Sequence, residues 1–139
     1  MGVWLGVDVG TVRVGVARSD PAEILATPVT TLRRGGDDLA QLAGLVREHG
    51  AQGVVVGLPR TLRGTEGASA EMARSYGAAL ADAIAPVPVE YVDERLSTVS
   101  AERKLADRGV RGRARRGVVD QAAAVELLQH WLQMRRGGL

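Results

Sequence analysis

The chain has 139 residues and a mass of 14.6 kDa, with 45% hydrophobic and 24% charged residues. Those values are expected of one soluble globular domain spanning residues 1–139. The absence of Cys excludes disulfides, thiolate metal sites and cysteine nucleophiles, and the two His residues, His49 and His130, lie too far apart in sequence for a multi-His metal site. No apolar run approaches the ~20 residues of a membrane span. Met1-Gly2-Val3-Trp4 carries no positive leader and runs straight into a strand, so a cytoplasmic location is expected.

The formal charge of +2 is unevenly spread. Residues 1–94 hold 8 Arg against 12 acids, whereas residues 95–139 hold 9 Arg and Lys104 against 4 acids. A C-terminal third this basic fits contact with a polyanion, although a compositional bias toward Arg explains the same count.

In chain order, residues 3–9 and 12–18 form two apolar strands around Gly10-Thr11, a hairpin pattern. A third strand is expected over 24–32, after Asp20-Pro21. Asp37 and Asp38 open a helix with Leu39, Leu42, Ala43 and Val46 at helical spacing, closing near Gly50. The continuous apolar run Val54-Val55-Val56-Gly57-Leu58, stopped by Pro59, suits a buried parallel strand. A second helix is expected over 66–85, a fifth strand over 87–92, a helix over 98–108 and a last helix over 118–135. The order βββαβαβαα predicts an α/β fold. Its mixed five-stranded sheet joins an antiparallel meander to parallel crossovers, with helices on both faces.

Three places put acids where acids are costly. Asp8 shares a strand face with Trp4 and Gly6 near the end of a central-looking strand. There it needs a cation, a metal or several N–H donors; the turn amides around Gly10-Thr11 are the plainer partner. Asp93-Glu94 falls at the end of the fifth strand, and only one of the two can share the face of Asp8 in a regular strand. In the last helix, Asp120, Ala124, Leu127 and Trp131 follow one apolar stripe, with Gln129, Gln133, Glu126 and His130 on the wet side. Asp120 therefore faces inward among small residues, unless it serves as an N-cap. Acids without His or Cys favour all-oxygen ligation of Mg²⁺ or Mn²⁺.

The arrangement resembles the ribonuclease H-like fold and, more narrowly, the YqgF family of Holliday-junction-resolvase-like and pre-16S rRNA processing nucleases. The resemblance rests on Leu5-Gly6-Val7-Asp8-Val9-Gly10-Thr11, Arg13-Val14-Gly15-Val16-Ala17 and Val56-Gly57-Leu58-Pro59. It continues in Gly64-Thr65-Glu66-Gly67, Val92-Asp93-Glu94-Arg95-Leu96-Ser97-Thr98 and Val119-Asp120-Gln121-Ala122-Ala123-Ala124. It implies that Asp8, Glu94 and Asp120 are the catalytic acids and hold Mg²⁺ or Mn²⁺, expected as two ions. It also implies a nuclease whose substrate is pre-16S rRNA, branched DNA or both. The family often has Lys shortly before the helix Asp, where this chain has Arg115-Arg116-Gly117. An Arg holds phosphate bidentately but donates protons poorly.

Five Arg occupy the nine residues from Arg108 to Arg116, a stretch without acids that is expected to be a loop. Arg111, Arg113, Arg115 and Arg116, with Arg95 beside the strand-end acids, are candidates to hold nucleic-acid phosphates. Arg60 and Arg63, after the Gly-Leu-Pro stop, are candidates for a second backbone contact. Two other functions share some of these features: a phosphotransferase of the actin and hexokinase type, whose first hairpin also reads Asp-x-Gly-Thr, and a non-catalytic nucleic-acid-binding module. Leu132 and Met134 fit either a homodimer contact or the core.

Overall fold

The computed structural model describes residues 2–59, 67–94 and 113–137, without the side chains of 113–120. The elements are β1 (Trp4–Val9), β2 (Arg13–Ser19), β3 (Ala26–Arg33), α1 (Asp38–His49), β4 (Gly53–Leu58), α2 (Ala68–Ile84), β5 (Val89–Asp93) and α3 (Arg113–Gly137). The helix expected over 98–108 lies outside the described residues.

The sheet order is β3-β2-β1-β4-β5. β1 pairs antiparallel with β2 and β2 with β3, as the hairpin pattern predicts. β1 pairs parallel with β4 and β4 with β5, as the strand–helix alternation predicts. Every residue of β1 and β4 is buried, which is why these two strands read as unbroken apolar runs. β3, at one edge, exposes Thr27, Pro28 and Arg33. Pro28 sits at a register shift between Val16 and Ala17 of its partner, where a missing N–H costs no ladder bond.

Two apolar clusters lie on opposite faces of the sheet. Leu5, Val7, Val14, Val16, Val54 and Val56 pack beneath α1 and α2, against Leu42, Val46, Ala73 and Leu80. Trp4, Ala17, Val55 and Val92 pack beneath α3, against Ala124, Leu127, Leu128 and Leu132. The strand alternation expected of β1 is thus realised: Leu5 and Val7 face α1 and α2, Trp4 faces α3.

α1 closes on Gly50 at φ +59°, the left-handed position that a residue with a Cβ adopts at a cost. The C-terminal end of α3 is tied to the β2–β3 turn. Gln129 accepts from Ala26 N at 2.9 Å and donates to Ile24 O at 2.8 Å. The Arg135 guanidinium lies 4.7 Å from the Trp4 ring and 5.1 Å from the Trp131 ring, with Glu23 Oε1 3.5 Å from its Nε.

Two expectations for α3 are corrected. It begins at Arg113, so Arg113, Arg115 and Arg116 are helical and not part of a loop. Arg and Ala are strong helix formers and extend the helix across Gly117, whose interior cost is only about 1 kcal/mol. Gln129 is not simply a wet position, because the β2–β3 turn offers it a backbone donor and acceptor. Of the two alternatives for Leu132, the core is the one realised: it is fully buried under the sheet.

Beneath α1 and α2, Tyr76 Oη donates to Asp38 Oδ2 at 2.6 Å, both residues being buried. Burial, and next the Asp38 hydrogen bond, push the Tyr76 phenol well above its ordinary range, while the Arg34 guanidinium, 5.5 Å from the ring, opposes them. A raised folded-state pKa contributes stability that is present below the unfolded value of ~10 and is lost as pH rises above it. Urea unfolding should therefore show stability falling between about pH 10 and 12 in the wild type. Tyr76→Phe should start about 1–3 kcal/mol less stable and lack that alkaline loss.

Candidate active site

The site is built where the central strands end. Asp8, the penultimate residue of β1, is 1% exposed. Alternation puts it on the α3 side, with Trp4 and Gly6. Across β2 it pairs with Gly15, and Gly15 pairs with Thr31 of β3. Across β4 the last register pair is Val7 with Val56, which sets Asp8 beside Gly57.

Gly57 pairs in turn with Val92 of β5, and Glu94 follows two residues later on the same face. The Glu94 side chain folds back over Gly57. A methyl group at Gly57 would stand 2.7 Å from Glu94 Oε1 and 2.9 Å from Leu127 Cδ2. The two carboxylates thus come together on one face, Glu94 over the strand next to that of Asp8, adjacent strands lying about 4.8 Å apart. Of the two strand-end acids, Glu94 is the one that shares the face of Asp8.

α3 is brought down on this row by a second glycine. A methyl group at Gly6 would stand 2.7 Å from Leu128 Cβ and 3.1 Å from the Ala124 carbonyl oxygen. One turn before Ala124, α3 carries Asp120, whose side chain is outside the described residues. Next to it, Gln121 Nε2 donates to Thr31 Oγ1 at 3.0 Å and fastens this part of α3 to β3. Thr31 does not stand out in the sequence, and Gln121 is marked only as part of the Val119–Ala124 segment that carries the family resemblance.

Among the described residues, no group of three or more His, Cys, Asp or Glu lies close enough to hold a metal ion. The described part of the site is a pair of hard oxygen donors, Asp8 and Glu94, with no nitrogen or sulfur ligand on the row. That donor set fits a hard divalent cation and disfavours zinc or copper. Arg60, Arg63, Arg95 and Arg111 lie outside the described residues, as do the side chains of Arg113, Arg115 and Arg116.

A mixed sheet in this order, with α3 the helix on the acid-bearing face among the described residues, is the ribonuclease H-like fold. Its solved relatives include RuvC of T. thermophilus in complex with a Holliday junction substrate, at TM-score 0.57 and 18% identity, covering 99% of this chain and 97% of that one. The chain belongs to the RuvX family, described as Holliday junction resolvase, whose model matches residues 2–134. That membership places it among the nucleases. A Frankia casuarinae protein provisionally named a pre-16S rRNA nuclease is 60% identical over 97% of this chain and 68% of its own length. A Thermobifida fusca protein of the same name is 55% identical over 97% of this chain and 89% of its own.

The geometry makes Gly57 a test of how Glu94 is placed. Gly57→Ala should fold, because Leu127 and Glu94 are side chains that can yield, with a loss of about 1–3 kcal/mol from overpacking. It should also displace Glu94 and weaken Mn²⁺ binding by tenfold or more, read by calorimetry. Unchanged Mn²⁺ affinity in the folded variant would detach Glu94 from the site.

Proposed function

We propose that the chain is one divalent-metal-dependent nuclease domain that hydrolyses phosphodiester bonds in structured nucleic acid in the cytoplasm. The observation that carries this reading is the convergence of buried Asp8 and Glu94 on one sheet face. α3 crosses that face at Gly6 and bears Asp120 one turn before the crossing.

In this reading Asp8, Glu94 and Asp120 hold two Mg²⁺ or Mn²⁺ ions. Asp8, on the central strand, would hold them together with Glu94 on one side and Asp120 of α3 on the other. Such ions supply activation of water for attack on the phosphate and stabilisation of the departing oxygen. Burial beneath α3 keeps Asp8 in one orientation. Arg111, Arg113, Arg115 and Arg116 deliver the strand to Asp120 by holding phosphates, Arg95 holds phosphate beside the strand-end acids, and Arg60 and Arg63 supply a second backbone contact. Phosphate contacts of this kind fix position without reading sequence.

The substrate supported best is a ribosomal RNA precursor, processed near the 5′ end of 16S rRNA. Relatives bearing that name are 53–60% identical over at least 95% of this chain. Branched DNA is the second reading, favoured by the description of the family model. A ribonuclease H-like site acts on either backbone, so the substrate is decided by direct comparison.

Purified wild-type protein with Mg²⁺ or Mn²⁺ should cut a structured precursor rRNA in preference to a four-way DNA junction. Asp8→Asn should abolish cleavage while nucleic-acid binding is kept or strengthened, since a negative charge facing phosphate is removed. Cleavage by Asp8→Asn at the wild-type rate would show the site to be misplaced. Metal should also raise the melting temperature of the wild type, by about 2.7 kcal/mol of stability at a hundredfold excess over Kd for one site, and should do so less in Asp8→Asn.

A further inference from the structure

Arg13 opens β2, next to the turn that follows β1. Val14 and Val16 face α1 and α2, and Ala17 faces α3, so alternation places Arg13 with Gly15 and Ala17 on the α3 face. Gly15 is the cross-strand partner of Asp8. Arg13 is therefore the diagonal neighbour of Asp8 on that face. Diagonal positions lie about 7–8 Å apart, within reach of a long side chain.

The backbone at Arg13 is held firmly. Gly10 N donates to Arg13 O at 2.8 Å, and a methyl group at Gly10 would stand 2.7 Å from that oxygen. Arg34 braces the same turn through its N–H to Val12 O at 2.9 Å and its Nη1 to Gly10 O at 3.2 Å. Arg13 itself is half-buried. The Arg13 backbone is thus fixed beside the strand that carries Asp8, and its half-buried side chain leaves β2 on the face that Asp8 shares.

A cation at that position repels a divalent ion held by Asp8, so it is poorly placed to serve the metal. It is well placed to serve an anion entering the same site. Its planar donors match two oxygens of one phosphate, which an ammonium cannot do. We propose that Arg13 binds a phosphate of the nucleic-acid backbone immediately beside the bond to be cut. The proposal rests on the nuclease reading and adds a substrate-binding residue from the sheet itself, on the opposite side of Asp8 from Glu94.

The test separates three readouts. Binding is measured with Asp8→Asn protein, which is expected not to cut, on a structured RNA and on a four-way DNA junction over a range of NaCl concentrations. Adding Arg13→Gln should weaken binding of at least one of them by about 10- to 100-fold. The slope of log K against log salt should fall by about 0.7–0.9, the value of one phosphate contact. Arg13→Lys should restore the slope but only part of the affinity. Mn²⁺ affinity, measured in Arg13→Gln with Asp8 intact, should be unchanged or higher, because a cation beside the carboxylates is gone.

An unchanged salt slope and nucleic-acid affinity on both substrates would overturn the proposal. So would a joint loss of Mn²⁺ and nucleic-acid binding with a lowered melting temperature, which would make Arg13 a structural residue. Cleavage by Asp8→Asn alone tests the site assignment, so the two failures are distinguishable.

Discussion

The site depends on one close contact, the seating of α3 on β1 at Gly6. The Ala124 carbonyl and Leu128 Cβ occupy the space that any side chain at residue 6 would need. Without that contact α3 would stand farther from the sheet, and Asp8 would open to water. With it, the apolar cluster of Trp4, Val55, Val92, Leu127, Leu128 and Leu132 closes over the central strands. Asp8 is buried at the edge of that closure. A carboxylate in such a place is costly unless something charged or hydrogen-bonding meets it. The fold therefore commits this position to polar chemistry by the same packing that stabilises it.

Two glycines on one sheet face divide the work. Gly6 admits the helix backbone, and Gly57 admits the Glu94 carboxylate. Their side-chain vectors point the same way, one strand apart and two register steps along. On the other face, Gly77 of α2 admits the ring of Tyr91 from β5. Small residues in this chain mark the places where one element is required to touch another, and the acid-bearing face holds a third, Gly53 of β4, which admits the Trp4 ring.

Much of this was legible in the sequence, for identifiable reasons. Asp8 was conspicuous because Leu5, Val7 and Val9 around it are uniformly apolar. β4 declared itself by Val54-Val55-Val56, since a strand buried on both faces needs no alternation. The choice of Glu94 over Asp93 was not available from spacing, because both residues lie at a strand end. It is decided by the empty space over Gly57, which only the register of β4 with β5 reveals. The start of α3 is hidden in the sequence because Gly117 and a run of like charges resemble a loop. Helix propensity of Arg and Ala outweighs one interior glycine. The role of Gln129 was hidden for a different reason: its partners are backbone groups of a turn more than 100 residues away.

The placement of charge along α3 adds a final constraint. Its first turn contains no acid, and the residues entering it are Arg. Cations at a helix N-terminus oppose the macrodipole, typically by 0.3–1 kcal/mol each when exposed. Its last turn carries Arg135 and Arg136, where the dipole favours them. Stability alone would distribute these residues the other way at the start of the helix. Under the proposed nuclease function, a phosphate held at that end would reverse the sign of the effect. Helix stability alone thus does not account for the arginines at the start of α3. That end lies on the same helix, one turn and more before the contact with Gly6, so these arginines are carried by the helix that covers the sheet face of buried Asp8.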